Sequence, residues 1–91
     1  MMQVVNKRGR RVVGVNDVYV GRPSKWGNPY AIGRDGTRDE VVTLYEVYAR
    51  EMFDGDDMLE LVGKTLVCWC KPLACHGDVL VELVREFGYD V

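Results

Sequence analysis

No apolar stretch in the 91 residues approaches the roughly 18 needed to cross a bilayer, and the opening Met1-Met2-Gln3-Val4-Val5 is not a basic-then-apolar leader. Neither a membrane span nor a secretory signal is expected. Cysteine is scarce too. Three residues, Cys68, Cys70 and Cys75, cannot all pair within one chain, and Cys68 and Cys70 stand too close for an unstrained bridge with each other. This usage points to a reduced, cytoplasmic protein. There is one histidine, His76, and neither an internal repeat nor a low-complexity segment.

What is present describes one ordinary globular domain spanning residues 1–91, with 47% apolar and 29% charged residues. A chain this short buries only about two thirds of the surface its unfolded form exposes, so a metal, a ligand or a partner chain would help its stability. The formal net charge of −2 hides an asymmetry: residues 1–38 hold eight basic residues against two acids, and residues 39–91 hold four against twelve. Such a split points to anionic partners such as nucleotides or nucleic acid, unless the two halves neutralise each other in the fold. A pI near 5.3 argues against a general nucleic-acid coat and leaves room for a local basic cleft.

Val4-Val5 and residues 11–15 are short β-prone pieces around a charged Lys7-Arg8-Gly9-Arg10 turn, and Asp17-Val18-Tyr19-Val20 is a stronger strand ending at Gly21. Whether the first two form a hairpin or join a parallel sheet is open. Residues 21–36 hold too many glycines and prolines for a regular element. Thr37 or Asp39 can cap a helix over 39–53, with an apolar stripe through Val41, Tyr45, Tyr48 and Met52, flanked by Val42, Ala49 and Phe53. A short helix through Met58, Leu59 and Val62 is stopped by Gly63. Residues 65–70 read as a strand apolar on both faces, as in a covered parallel sheet. A last helix over 77–87 turns Val79, Leu80, Leu83, Val84 and Phe87 to one side, with Gly88 where a C-terminal cap belongs. The fold class is therefore α/β, a single small domain with a short, mostly parallel sheet and flanking helices on a βαβα core. In such sheets ligands bind outside the carboxyl ends of the strands, here between the 21–30 and 71–78 loops.

Those two loops carry the blocks Gly21-Arg22-Pro23-Ser24-Lys25-Trp26-Gly27-Asn28-Pro29 and Cys68-Trp69-Cys70-Lys71-Pro72-Leu73-Ala74-Cys75-His76-Gly77-Asp78. Over roughly residues 17–84 the chain resembles a family of short bacterial and phage proteins, catalogued as a domain of unknown function, with GRPSKWGNP and CWC-x-P-x-x-CHGD blocks. The resemblance implies a small, cytoplasmic, often phage-encoded α/β protein and no particular reaction.

The residues themselves suggest chemistry. Arg22, Ser24, Lys25 and the amides around Gly21 and Gly27 suit a phosphate or carboxylate, with Arg38 as a second cation. Trp26 would stack on a base or sugar, and Asn28 would read a polar edge. The alternative is that Trp26 and Tyr30 fold inward over a small core and Asn28-Pro29 merely turns the chain. In the second block, Cys68, Cys70, Cys75 and His76 suit tetrahedral zinc, although C-x-C-x4-C-H is not the usual pair of C-x-x-C knuckles. Alternatively Cys75 is a thiolate nucleophile at a helix N-terminus, with His76 as acid or base and Asp78 orienting it. Cys68 and Cys70 also suit a core as small hydrophobes, and Asp78 suits a helix cap. The leading expectation is binding, and turnover if the thiol is catalytic, of a phosphate-bearing nucleotide or nucleic-acid end. Its rival is a zinc-stabilised, non-catalytic interaction module, phage-encoded and engaging a host protein.

Overall fold

The computed structural model describes residues 2–8, 15–69, 73 and 75–90. Three strands, β1 (Gln3–Asn6), β2 (Asp17–Tyr19) and β3 (Thr65–Cys68), form one sheet in the order β1-β3-β2, and β3 pairs in parallel with both neighbours. Being central, β3 has to be apolar on both faces, and Leu66, Val67 and Cys68 have no exposed surface. The small α/β fold matches the expectation, and the open question about Val4-Val5 resolves to a parallel strand. Residues 11–14 lie outside the described residues. The last strand ends at Cys68, earlier than its expected limit at 70.

Among the described residues three helices, α1 (Arg38–Met52), α2 (Gly55–Leu59) and α3 (His76–Glu86), accompany the sheet. Each start is set locally. The Thr37 hydroxyl accepts the Glu40 N–H at 3.3 Å while the Glu40 carboxylate accepts the Thr37 N–H at 2.9 Å, and Asp54 and Asp57 make the same reciprocal pair at 3.0 Å. At α3 the cap is Cys75, whose Sγ accepts the Gly77 N–H at 3.3 Å; Asp78 sits in the first turn. Gly88, at φ +92°, takes the left-handed conformation that ends the helix.

Leu66 and Cys68 alternate with Val67, so they share a face. Cys68 Sγ meets Cys75 Sγ at 2.8 Å, which identifies that face as the one covered by α3. Leu80, Leu83 and Val84 pack there, and α1 packs against α3 in turn. From α1 the buried row is Val41, Tyr45, Ala49 and, just past its end, Phe53, while Met52 is 59% exposed. The stripe thus follows steps of four, because α3 takes a single ridge of α1 and a side chain at Met52's angle would face water. Phe87 likewise falls beyond α3 and is half exposed.

The opposed charges of the two halves meet where the 21–27 loop touches α2. Lys25 Nζ pairs with Glu60 at 2.7 Å and Asp57 at 3.2 Å, tying the loop to that helix. No helix of the described residues is long and apolar enough to cross a membrane.

Candidate functional site

Parallel pairing puts the ends of β2 and β3 side by side, and a cleft of about 480 Å³ opens there. One wall is the 21–32 loop, another is the first turns of α1 with Arg38, Val41 and Val42, and Trp69 and His76 close the side next to β3. Among the described residues no carboxylate lines it, whereas Arg22 and Arg38 both do.

The wall next to β2 is built on an aromatic pair. Tyr19 Oη donates to the Arg22 carbonyl at 2.8 Å and accepts the Trp69 indole N–H at 3.1 Å, which joins the ends of two strands. Gly21 makes this possible: a Cβ there would lie 2.5 Å from Tyr19 Oη and 2.7 Å from its ring, so the glycine yields space to a side chain. Arg22 then shapes the loop. Its Nε donates to the Asn28 carbonyl and its Nη2 to the Tyr30 carbonyl, each at 2.8 Å. A guanidinium has more donors than these two carbonyls use, so Arg22 can also hold an anion in the cleft. Asn28 is buried, donating to the Val41 carbonyl at 3.0 Å and accepting the Tyr30 N–H at 2.9 Å. It lines the cleft while fastening the loop to α1.

The sequence-predicted residues therefore separate. Arg22, Asn28, Arg38 and His76 come together at the cleft. Ser24 lies outside its lining, with its hydroxyl on the Gly21 carbonyl at 2.6 Å. Lys25 is held by Glu60 and Asp57, and the hydrogen bond to Glu60 raises its pKa further. Trp26 is 4% exposed, tilted against Phe53 at 4.7 Å between ring centres, with its carbonyl accepting the Tyr45 hydroxyl at 2.6 Å. Its ring belongs to the core, as in the inward-folding alternative. Burial pushes the pKa of Tyr45 far above its ordinary value, so that hydroxyl remains a donor. The exposed tryptophan is Trp69, at 58%, with Lys7 Nζ 5.3 Å above its ring. Tyr19, Tyr30 and Trp69 are not among the ligand-binding residues the sequence points to; the signal that could find Tyr19 and Trp69 is position, since one closes β2 and the other follows β3.

Behind the cleft lies the thiol cluster. His76 Nε2 is 2.6 Å from the Val20 carbonyl, which only accepts, so this nitrogen carries the proton and Nδ1 faces Cys75 Sγ at 3.9 Å. Burial lowers the His76 pKa, against the opposing effect of the Val20 hydrogen bond. The His76 imidazole, the capping thiol of Cys75 and the thiol of Cys68 thus stand in a row. Cys75 and Cys68 are buried, and His76 alone of Cys75, His76 and Asp78 reaches the cleft lining. Two thiolates on tetrahedral zinc at about 2.3 Å each would sit about 3.8 Å apart, whereas Cys68 Sγ and Cys75 Sγ stand at 2.8 Å. Among the described residues, no three His, Cys, Asp or Glu side chains are placed to hold a metal ion. Cys70 lies outside them.

Fold and cleft define a small α/β protein whose parallel strands end at a cationic, aromatic-walled opening. The chain belongs to the family described as "Domain of unknown function (DUF4326)", whose model matches residues 3–86. It is 33% identical over 106 positions to "Uncharacterized protein R718" of Acanthamoeba polyphaga mimivirus, across 92% of this chain and 82% of the relative. It is also 32% identical over 80 positions to "Uncharacterized 12.4 kDa protein in nrdA-td intergenic region" of Enterobacteria phage T4, across 81% of this chain and 72% of the relative. Both of these similar proteins are viral, one of them from a phage. No solved structure matches the chain.

Proposed function

We propose that this protein binds a phosphate-bearing nucleotide or nucleic-acid end in the cleft at the carboxyl ends of β2 and β3. One observation carries the reading: Arg22 and Arg38 line the cleft with no carboxylate among the described lining residues, beside the exposed ring of Trp69. Arg22 and Arg38 hold the phosphate, aided by the N-terminal end of α1, and Trp69 offers its face to the base. Asn28 keeps the loop open at its present width. The buried Cys75–His76 pair supports binding rather than turnover, because Cys75 has almost no exposed surface.

Calorimetric titration with a panel of nucleoside monophosphates tests this. Wild type is expected to bind at least one of them, and Arg38→Gln and Trp69→Ala each to weaken it by tenfold or more. Wild type that binds neither a monophosphate nor a short single strand, or equal binding by all three proteins, overturns the reading.

The zinc-stabilised interaction module has one observation behind it. The Nε2–H of His76 rests on a backbone carbonyl, as the outer nitrogen of a zinc-ligating histidine does, with Nδ1 turned to the thiols. On that reading one equivalent of zinc accompanies the purified protein and a chelator lowers Tm by many degrees. A metal-free protein whose Tm ignores chelator refutes it.

A further inference from the structure

Building on the cleft reading above, we infer that the ligand is the terminal nucleotide of a single nucleic-acid strand, and that the strand leaves the cleft across Trp69 towards Lys7 and Arg8. The position of that basic pair follows from the sheet. β1 pairs with β3 as far as Asn6 opposite Cys68. Beyond this point the Lys7 N–H donates to the Cys68 carbonyl at 2.7 Å and Asn6 Nδ2 donates to the Trp69 carbonyl at 3.1 Å. These bonds carry Lys7 Nζ to 5.3 Å above the Trp69 ring. Arg8 follows, exposed, with its N–H on Asn6 Oδ1 at 2.7 Å. Since the strand order is β1-β3-β2, the cleft and the basic pair flank the central strand on opposite sides. Two strand spacings, about 10 Å, separate the end of β1 from the end of β2, and Trp69 stands between the basic pair and the far wall of the cleft.

A free nucleotide needs nothing outside the cleft. A strand also needs positive charge for the phosphates that follow its terminal nucleotide, and beyond Trp69, which faces the terminal base, Lys7 and Arg8 supply it. Neither Lys7 nor Arg8 is ion-paired with another described residue, whereas Lys25, Arg34, Arg50 and Arg85 are. The overall charge of −2 fits capture of an end rather than coating of a length, because so few phosphates are neutralised.

The test compares a nucleoside monophosphate, a dye-labelled linear hexanucleotide and a circular strand of the same composition, with DNA and RNA versions of each polymer. The linear strand of one or both polymers is expected to bind at least tenfold more tightly than the monophosphate and than the circle. The Lys7→Ala/Arg8→Ala double variant should shrink the advantage of strand over monophosphate severalfold. It should also flatten the salt dependence by roughly 0.7 log unit per log unit of salt for each phosphate that is no longer neutralised. A monophosphate bound as tightly as the strand, a circle bound equally well, or a double variant with an unchanged ratio overturns the inference while the cleft reading stands. If neither monophosphate nor strand binds, both fall.

Discussion

Trp26→Ala should separate the two tryptophans of this chain by their physical roles. Trp26 is 4% exposed and its ring packs on Phe53 at 4.7 Å, so removing it opens a cavity between the 21–30 loop and the end of α1. Emptying a buried tryptophan site costs about 3–5 kcal/mol. A 91-residue domain has a total stability of roughly 5–14 kcal/mol, so the loss takes a large share of it. At about 4–8 °C per kcal/mol for a domain of this size, Tm should fall by at least about 12 °C. Trp69→Ala provides the contrast: at 58% exposure it forfeits mainly one hydrogen bond to Tyr19, and the expected loss is about 1 kcal/mol. Thermal unfolding followed by circular dichroism measures both. A Trp26→Ala melt within a few degrees of wild type, or a Trp69→Ala melt displaced as far as that of Trp26→Ala, would refute the reasoning.

Three further outcomes are expected. Tyr45→Phe leaves the buried Trp26 carbonyl without its partner and should cost about 1–3 kcal/mol; a urea midpoint equal to wild type contradicts that. For His76, burial lowers the folded pKa below the ordinary 6.5, so the unfolded chain binds the proton first as pH falls. Stability is then full above pH 6.5 and declines below it, and since there is no other histidine, His76→Gln should flatten the profile between pH 5 and 6.5. A wild-type profile flat across that window counts against the buried, neutral imidazole. Gly21→Ala pushes a methyl group into the Tyr19 ring, breaking its bond with Trp69, and should weaken ligand binding more than it lowers Tm. Unchanged affinity would mean that Tyr19 has no part in shaping the cleft.

Much of the fold is legible in the sequence because its signals are local. Thr37 with Glu40 announces the start of α1, Gly88 the end of α3, and a run apolar on both faces the central strand. The location of the cleft follows from a general property of parallel sheets. Its membership is harder to read. Trp26 sits among glycines, prolines and cations, which suggests exposure, yet Phe53 and Tyr45 reach it from 27 and 19 residues away in sequence, and no short-range pattern reports such contacts. Lys25 resembles an anion ligand until the fold brings Asp57 and Glu60 to it. Trp69 reads as one residue of a longer strand. With β3 ending at Cys68 it becomes the first residue past the sheet, placed to stand at the rim.

The strand order carries a consequence for how the chain is made. β1 and β2 are synthesised first and never pair with each other; each waits for β3, which follows about sixty residues after the first of them. A nascent chain ending before Thr65 holds two edge strands and no centre, and α1 has no α3 to lie against. Every pairing in the sheet is long-range, which slows folding relative to a helical bundle of the same length. The sheet can therefore close only after β3 has been made and be covered only after α3 follows it, and the same stretch of chain that completes the sheet supplies Trp69 and His76 to the cleft.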